Sequence, residues 1–382
     1  MTASIEPLFQ SFQLRGLTLR NHFTMSPMQK FRPADHVPHD EMVEYHRIRA
    51  RNGIAMIVSQ GTAIGVPGAT SAYAWLQPSS YDAWARIADA VRSEGCHMSL
   101  QVYYDAPSRD KGAFGPSGYT TNGEKKRDRG MAKDEIDFIL ETYAEAAAAV
   151  KRLGFTGIEL HGGQGGLFGQ FMSPLANFRD DEYGGATPQE RLTLPMKLVR
   201  TVREAAGPDL IVGLRQAQVW EAKLFDTPEE YKIFLDGMIA AGVDVFNCGV
   251  DLYWRPEYAG SHMNLGGWIK KLTGHPVITS GAFGLDNRLA DVVEGTPANN
   301  TVRQGFGDLM NRFHNGEFDM FALGRTILCD PDYLLKLRDG RFDEMMPTID
   351  LSDVAGNQIT FTKGKFAPQT KASAPSTARA SA

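Results

Sequence analysis

Eight short apolar segments recur along this chain of 382 residues, and a stretch long enough for a connecting element separates each from the next. They are rich in Val, Ile, Met and Phe, as expected for parallel strands with both faces buried. The segments are HFTMSPM (22–28), AMIVSQGTAI (55–64), HMSLQVYY (97–104), GIELHG (157–162), LIVGLRQA (210–217), VDVFNCG (243–249), PVITSG (276–281) and DMFALG (319–324). Eight strand-helix units predict an α/β fold, a closed (β/α)₈ TIM barrel in one domain, with a doubly wound open sheet as the alternative.

The connections divide into helical and irregular stretches. Residues 134–154 and 187–207 are amphipathic and predict crossover helices. The polar stretch at about 105–131 predicts a long loop after the third strand, and 294–305 predicts an extended segment between the seventh and eighth strands. The barrel domain is expected to span residues 1–362. The tail at 363–382, rich in Ala, Ser, Pro and Thr, is expected to be disordered.

Composition excludes several classes of function. The net charge is −5 and no basic block occurs, which argues against a nucleic-acid partner. No run approaches the roughly 20 apolar residues needed to cross a bilayer, so we expect a soluble, cytoplasmic protein without a membrane partner. Cys96, Cys248 and Cys329 lack CxxC spacing and predict buried thiols rather than a disulfide framework or a metal site. A small-molecule substrate is therefore expected, and homo-oligomer formation is left open.

Barrel enzymes carry their chemistry at the carboxyl ends of the strands. The candidate residues at these ends are Ser26, Pro27, Met28, Gln29, Gly61, Gln101, Tyr103, His161, Gln164, Arg215, Gly281, Gly324 and Arg325. The endings SGAFG and LGR of the last two strands predict a phosphate cradle, because glycine lets backbone N–H groups approach an anion. No strand-end lysine is placed for a Schiff base, and no His-carboxylate cluster suggests a metal. A large, polar, ring-bearing cofactor fits this pattern.

The chain resembles the old yellow enzyme family of NAD(P)H:flavin oxidoreductases over nearly its whole length. The motifs that carry the resemblance, in family order, are TMSPM, the glutamine of SLQVYY, GIELHGGQGGLFGQFMSPLANFRDDEYGG (157–185), VGLR and ALGR. The resemblance implies a barrel that binds FMN non-covalently and takes hydride from NADH or NADPH. It further implies an acceptor alkene conjugated to a carbonyl or nitro group.

The resemblance also implies a role for each candidate residue at the flavin. Ser26, Pro27, Met28 and Gln29 would run along the flavin edge, Gly61 would touch it by its backbone, Gln101 would bind the pyrimidine ring, Arg215 would lie near N1 and O2, and Gly281, Gly324 and Arg325 would hold the phosphate. A fixed guanidinium near N1 would stabilise the charge that accumulates on reduction.

The substrate side departs from the family pattern. His161 and Gln164 stand where the family has the pair that binds a substrate oxygen, and Gly166 stands where it commonly has a proton-donating tyrosine. Side chains alternate along a strand, so Tyr103 shares a face with Gln101 and becomes the candidate proton donor. The loss of the family tyrosine leaves desaturation or amine oxidation at the same flavin site open as an alternative. A non-redox, phosphate-binding barrel is a further alternative.

Overall fold

Strands and helices alternate along the chain in this computed structural model, which describes residues 4–31, 33–65, 73–105, 114–163, 166–217, 224–350, 359–362 and 365–368. The strands are β1 (Phe12–Leu14), β2 (Leu17–Leu19), β3 (Phe23–Met25), β4 (Met56–Val58), β5 (Thr62–Gly65), β6 (His97–Asp105), β7 (Gly157–His161), β8 (Ile211–Ala217), β9 (Val245–Gly249), β10 (Val277–Thr279), β11 (Ala298–Asn299), β12 (Met320–Leu323), β13 (Thr348–Ile349), β14 (Ile359–Thr362) and β15 (Lys365–Pro368). The helices are α1 (Asp40–Arg51), α2 (Tyr81–Ser93), α3 (Lys133–Arg152), α4 (Leu167–Met172), α5 (Pro188–Arg191), α6 (Thr193–Ala206), α7 (Pro228–Ala241), α8 (Leu265–Thr273), α9 (Leu289–Val293), α10 (Val302–His314), α11 (Arg325–Cys329) and α12 (Tyr333–Arg338).

The parallel strands close into a barrel in the order β3, β4, β6, β7, β8, β9, β10 and β12, with β12 pairing again with β3. This confirms the predicted (β/α)₈ barrel and excludes the open sheet, because an open sheet would leave two unpaired edges. The second predicted segment is split into β4 and β5, which both pair with β6. Between them the Ser59 hydroxyl accepts the Gln101 backbone N–H at 3.0 Å, so a side chain replaces the backbone acceptor of the sheet.

A hairpin closes the amino-terminal end of the barrel. Strands β1 and β2 pair antiparallel, and Leu14 and Leu19 pack against apolar side chains from the starts of the barrel strands, among them Met56, Ile211 and Val245. A larger apolar cluster fills the space between the strands and the surrounding helices. No helix in the described part of the chain is long and apolar enough to span a bilayer. The opposite, carboxyl end of the barrel is the end available for a site.

The connections follow the sequence predictions with local differences. The predicted helix at 134–154 is α3, which begins at Lys133 because the Glu135 carboxylate accepts the Ala132 backbone N–H at 2.7 Å. The predicted helix at 187–207 forms as α5 and α6, and Thr187 caps α5 by accepting the Glu190 N–H at 3.3 Å. Within 294–305, strand β11 pairs with β13 and α10 begins.

The long loop and the tail are described in part. Residues 114–131 form turns with one isolated bridge between Tyr119 and Lys125, and residues 106–113 lie outside the described part of the chain. In the tail, Lys365–Pro368 forms a strand paired with Ile359–Thr362. The disorder predicted for 363–382 stays a prediction. The rest of that tail, 363–364 and 369–382, lies outside the described residues.

Candidate active site

The carboxyl ends of β3, β8, β9, β10 and β12 surround a cavity of about 310 Å³. Of the residues predicted from the sequence, those that line it are Ser26, Pro27, Met28, Arg215, Gly281, Gly324 and Arg325. Lining residues that the sequence did not single out include Gly249, Asp251, Ser280, Phe283 and Leu289. The cavity combines apolar walls with a guanidinium at either end, which suits a ring joined to an anionic group.

One end of the cavity has the features of a phosphate cradle. Gly281 has φ +121°, and a Cβ there would lie 2.7 Å from the Tyr253 nitrogen, so only glycine fits. A Cβ on Gly324 would meet nothing closer than the Met28 sulfur at 3.9 Å, which leaves this backbone open towards the cavity. The Arg325 side chain donates to the Asn287 carbonyl at 2.6 Å, which fixes its guanidinium beside the opening. These residues fit the phosphate of FMN.

Arg215 lies at the other end of the cavity in a fixed position. Its Nη1 donates to the Asn247 Oδ1 at 2.6 Å, and a Cβ on Gly249 would lie 2.3 Å from Nη2. Gly249 therefore leaves the space that the guanidinium fills. Burial lowers the pKa of Arg215 and the charge of Glu159 opposes that shift, but a guanidinium stays protonated in proteins.

A buried carboxylate joins Arg215 to Gln101. The Glu159 side chain is only 2% exposed, and it accepts from the Gln101 Nε2 through Oε1 and from the Asn247 Nδ2 through Oε2, each at 2.7 Å. Sequence reasoning missed both Glu159 and Asn247. The signal for Glu159 was present, because it stands two residues before His161 and so shares its face of the strand. Burial raises the pKa of Glu159, while the charge of Arg215 lowers it.

Three predicted residues converge on Gly61. The Gln29 Nε2 donates to the Gly61 carbonyl at 3.1 Å. A Cβ on Gly61 would lie 3.2 Å from the Gln101 Oε1 and 3.3 Å from the Tyr103 Cδ1. Gln101 and Tyr103 therefore point to the same side of β6, as alternation predicts. Tyr104 instead packs against the apolar cluster between strands and helices, so it occupies the other face.

His161 ends β7 beside Tyr103 and Arg215. Its ring meets the Tyr103 ring edge-on, with 6.4 Å between centroids, and it pairs in register with Arg215 of β8. The Gly163 N–H donates to His161 Nδ1 at 3.4 Å, which favours the tautomer with its proton on Nε2. Burial, and secondarily the charge of Arg215, lower the pKa of His161, so the imidazole is neutral at pH 7. Gln164 lies outside the described residues, and its role stays a prediction.

Gly166 stands next to this histidine. A Cβ there would lie 3.8 Å from His161 Nδ1 and 3.3 Å from the Gly163 oxygen, and the backbone φ of −85° is one that any residue adopts. The backbone φ at Gly166 therefore admits other residues, but a Cβ there requires a small shift of the Gly163 oxygen. Gly166 is the N-cap of α4.

The site thus consists of two groups of residues. One lines the cavity, whereas Gln29, Gly61, Gln101, Tyr103 and His161 lie beside it and are joined to Arg215 through Glu159 and Asn247. The three cysteines are buried free thiols, as predicted. Among the residues that the structure describes, no group of three His, Cys, Asp or Glu side chains could hold a metal ion.

Comparisons with known proteins show the family of this chain. The family model described as NADH:flavin oxidoreductase / NADH oxidase matches residues 7–299. The chain is 28% identical over 360 residues to an NADH oxidase of Thermoanaerobacter brockii, covering 90% of this chain and 52% of that protein. It is 26% identical over 339 residues to an NADPH dehydrogenase of Bacillus licheniformis, covering 85% of this chain and 91% of the dehydrogenase.

A solved structure supports the fold. The old yellow enzyme homologue from Zymomonas mobilis superimposes with a TM-score of 0.69 at 22% identity, covering 89% of this chain and 94% of that one. The chain spans about half the length of the Thermoanaerobacter brockii NADH oxidase. The family model covers most of the chain, which confirms the resemblance to the family. The chain belongs to the NADH:flavin oxidoreductase / NADH oxidase family, the old yellow enzyme family, whose members use FMN with NAD(P)H as the hydride donor.

Proposed function

We propose that this protein is an FMN-dependent NAD(P)H oxidoreductase that reduces an alkene conjugated to a carbonyl or nitro group. The observation that carries the proposal is the position of His161, which ends β7 beside Arg215 with its ring edge-on to Tyr103 at the open end of the barrel. A neutral imidazole with its proton on Nε2 is a donor suited to an uncharged oxygen. Family membership sets aside the non-redox barrel.

The chain supplies a matched set of contacts for the cofactor. Gly281, Gly324 and Arg325 would hold the phosphate, Arg215 and Gln101 would bind the polar edge of the ring, and Ser26 to Gln29 with Gly61 would line its sides. When bound, FMN accepts a hydride from NADH or NADPH and delivers it to the substrate. The fixed charge of Arg215 favours the reduced, negatively charged form.

His161 and Gln164 would bind the oxygen of the activating group. Their N–H donors withdraw charge from the alkene and stabilise the negative charge that develops on that oxygen as hydride adds at the β-carbon. Glycine at position 163 leaves the space that the His161 imidazole fills, because a Cβ there would collide with the ring. Tyr103 would then protonate the α-carbon, because a phenolic O–H can act as a general acid.

The alternative is oxidation of a saturated ketone or an amine at the same site, favoured by the absence of a side chain at Gly166. The two functions differ in which half-reaction a substrate drives. In anaerobic solution, an enone should restore the yellow absorption of the NAD(P)H-reduced enzyme. Bleaching of the oxidised enzyme by a saturated ketone or an amine, without recolouring by any enone or nitroalkene, would favour the alternative.

Replacing Arg215 by Ala should weaken FMN binding about 10- to 100-fold, the usual cost of losing a charged hydrogen bond. It should also lower the reduction potential of the retained flavin, because a positive charge no longer favours the reduced anion. Arg215→Lys keeps the charge and should restore part of the potential but less of the affinity. A variant that keeps its flavin with an unchanged potential contradicts the assignment of Arg215.

Simple phenols should bind above the oxidised flavin, because a phenolate can accept from His161 and Gln164. Titration should then produce a long-wavelength charge-transfer band. The double variant His161→Ala with Gln164→Ala should lose the band. His97→Ala is the matched control, since His97 begins β6 at the closed end of the barrel, and it should keep the band. Persistence of the band in the double variant counts against the pair.

A further inference from the structure

Glu159 uses both of its carboxylate oxygens on primary amides. One oxygen accepts from the Gln101 Nε2 and the other from the Asn247 Nδ2, each at 2.7 Å. All three side chains are buried, Asn247 fully. The strand register places Gln101 opposite Glu159 and Arg215 opposite Asn247, so one connected row of polar groups crosses four neighbouring strands.

The chemistry of this row fixes the direction of each amide. An ionised carboxylate can only accept hydrogen bonds, so the NH₂ end of each amide must face Glu159. The carbonyl end of each amide then points away from it. The Gln101 Oε1 faces Gly61, and the Asn247 Oδ1 accepts from Arg215 Nη1 at 2.6 Å. A guanidinium can only donate, so Arg215 also fixes the direction of Asn247, whereas in this row only Glu159 distinguishes the two ends of the Gln101 amide.

We propose that Glu159 is a positioning residue that makes Gln101 present an acceptor rather than a donor to the cofactor, and so selects a pyrimidine ring with a free N3–H. Through Asn247 it also holds the guanidinium of Arg215 in place. The inference rests on the proposed placement of the flavin beside Gln101. Glu159 does not line the cavity, yet it would determine which edge of the flavin ring the site binds.

Charge balance supports the ionised form of Glu159. Arg215 is a half-buried cation, and the charge of Glu159 acts on it across the Asn247 amide. A nearby negative charge offsets the desolvation of such a cation, and two amide donors also stabilise the carboxylate. Packing supports its position, since a Cβ on Gly213 of the next strand would lie 3.4 Å from the Glu159 Cγ.

The first test is Glu159→Gln. The new side chain has one accepting end and one donating end, so either Gln101 or Asn247 must invert. Inversion of Gln101 sets its NH₂ against the flavin N3–H, and inversion of Asn247 sets its NH₂ against Arg215. In both cases the dissociation constant of FMN from the reconstituted apoprotein should rise about 10-fold or more, measured by quenching of flavin fluorescence.

The decisive test is the exchange of the two side chains, Glu159→Gln with Gln101→Glu. The glutamine at position 159 can then accept from Asn247 and donate to the glutamate at position 101, which still presents an acceptor to the flavin. Affinity for FMN should return to within about threefold of the wild type. The single variant Gln101→Glu should bind FMN more weakly than the double variant, because it places two carboxylates face to face. A double variant no better than Glu159→Gln overturns the proposal, since a merely structural role for Glu159 predicts no rescue.

A flavin analogue tests the same inference without changing position 159. Wild-type protein should bind N3-methyl-FMN at least about 10-fold more weakly than FMN, because the acceptor at Gln101 loses its partner. Equal affinity for the two flavins overturns the proposal even if the Glu159 variants fail to fold. The variant Gln101→Ala tests the proposed placement of the flavin by itself. If its affinity for FMN is unchanged, the flavin does not lie beside Gln101. If Gln101→Ala loses affinity for FMN and Glu159→Gln does not, the role of Glu159 is contradicted and the placement of the flavin stands.

Discussion

The variant Tyr103→Phe should reduce an enone about 10²- to 10⁴-fold more slowly than the wild type, the usual contribution of a general acid. Its flavin should still be reduced by NAD(P)H at nearly the wild-type rate, because that half-reaction needs no proton at the α-carbon. Tyr103 is the tyrosine on the same side of β6 as Gln101, and its ring lies edge-on to His161. Anaerobic stopped-flow absorbance measures the two half-reactions separately.

Tyr104→Phe is the matched control for this experiment. Tyr104 packs on the outer face of β6, so its variant should leave both half-reactions unchanged. An unchanged enone rate in Tyr103→Phe removes Tyr103 from the mechanism. Gly166→Tyr then tests the remaining explanation, because the backbone φ at position 166 is one that tyrosine adopts and the position lies next to His161. A large gain in rate from that variant would show that the wild-type protein has no side-chain acid.

The second large effect is expected at His161. Removing one donor to a developing oxyanion typically costs about 10²- to 10³-fold in rate, and His161→Ala should slow the enone half-reaction by that amount. His161→Asn should retain more activity, because an amide N–H can still donate. Burial lowers the pKa of His161, so we expect the wild-type imidazole to act as a neutral donor at pH 7. An enone rate in His161→Ala close to that of the wild type contradicts the assigned donor.

The strands were predictable because each barrel strand is a short apolar run, and burial on both faces requires such a run. The interruption of the second strand was not predictable from the sequence, because it depends on Ser59 accepting the Gln101 N–H from a neighbouring strand. The start of α3 shifted for a local reason, the Glu135 carboxylate bound to the Ala132 N–H. Side-chain contacts of this kind hardly change the spacing of apolar residues, so that spacing does not predict them.

The site was predictable where a residue type is required at a strand end. Gly281 has a backbone that favours glycine, and Arg215 is the only charged residue of β8. Glu159, Asn247 and Gly249 were missed because their roles depend on which strands are neighbours. Register sets Asn247 beside Arg215, although the two are far apart in the chain. The sequence shows the face on which each side chain lies but not its cross-strand partner.

Isotope transfer into the product tests the central claim, alkene reduction at a flavin, most directly. The protein would be given NAD(P)H carrying deuterium at the transferable position of the nicotinamide C4, with a cyclic enone in ordinary water and without oxygen. The account predicts one deuterium at the β-carbon of the saturated ketone and hydrogen from solvent at the α-carbon. Consumption of NAD(P)H without labelled ketone, together with conversion of the saturated ketone to the enone by the oxidised protein, would contradict it.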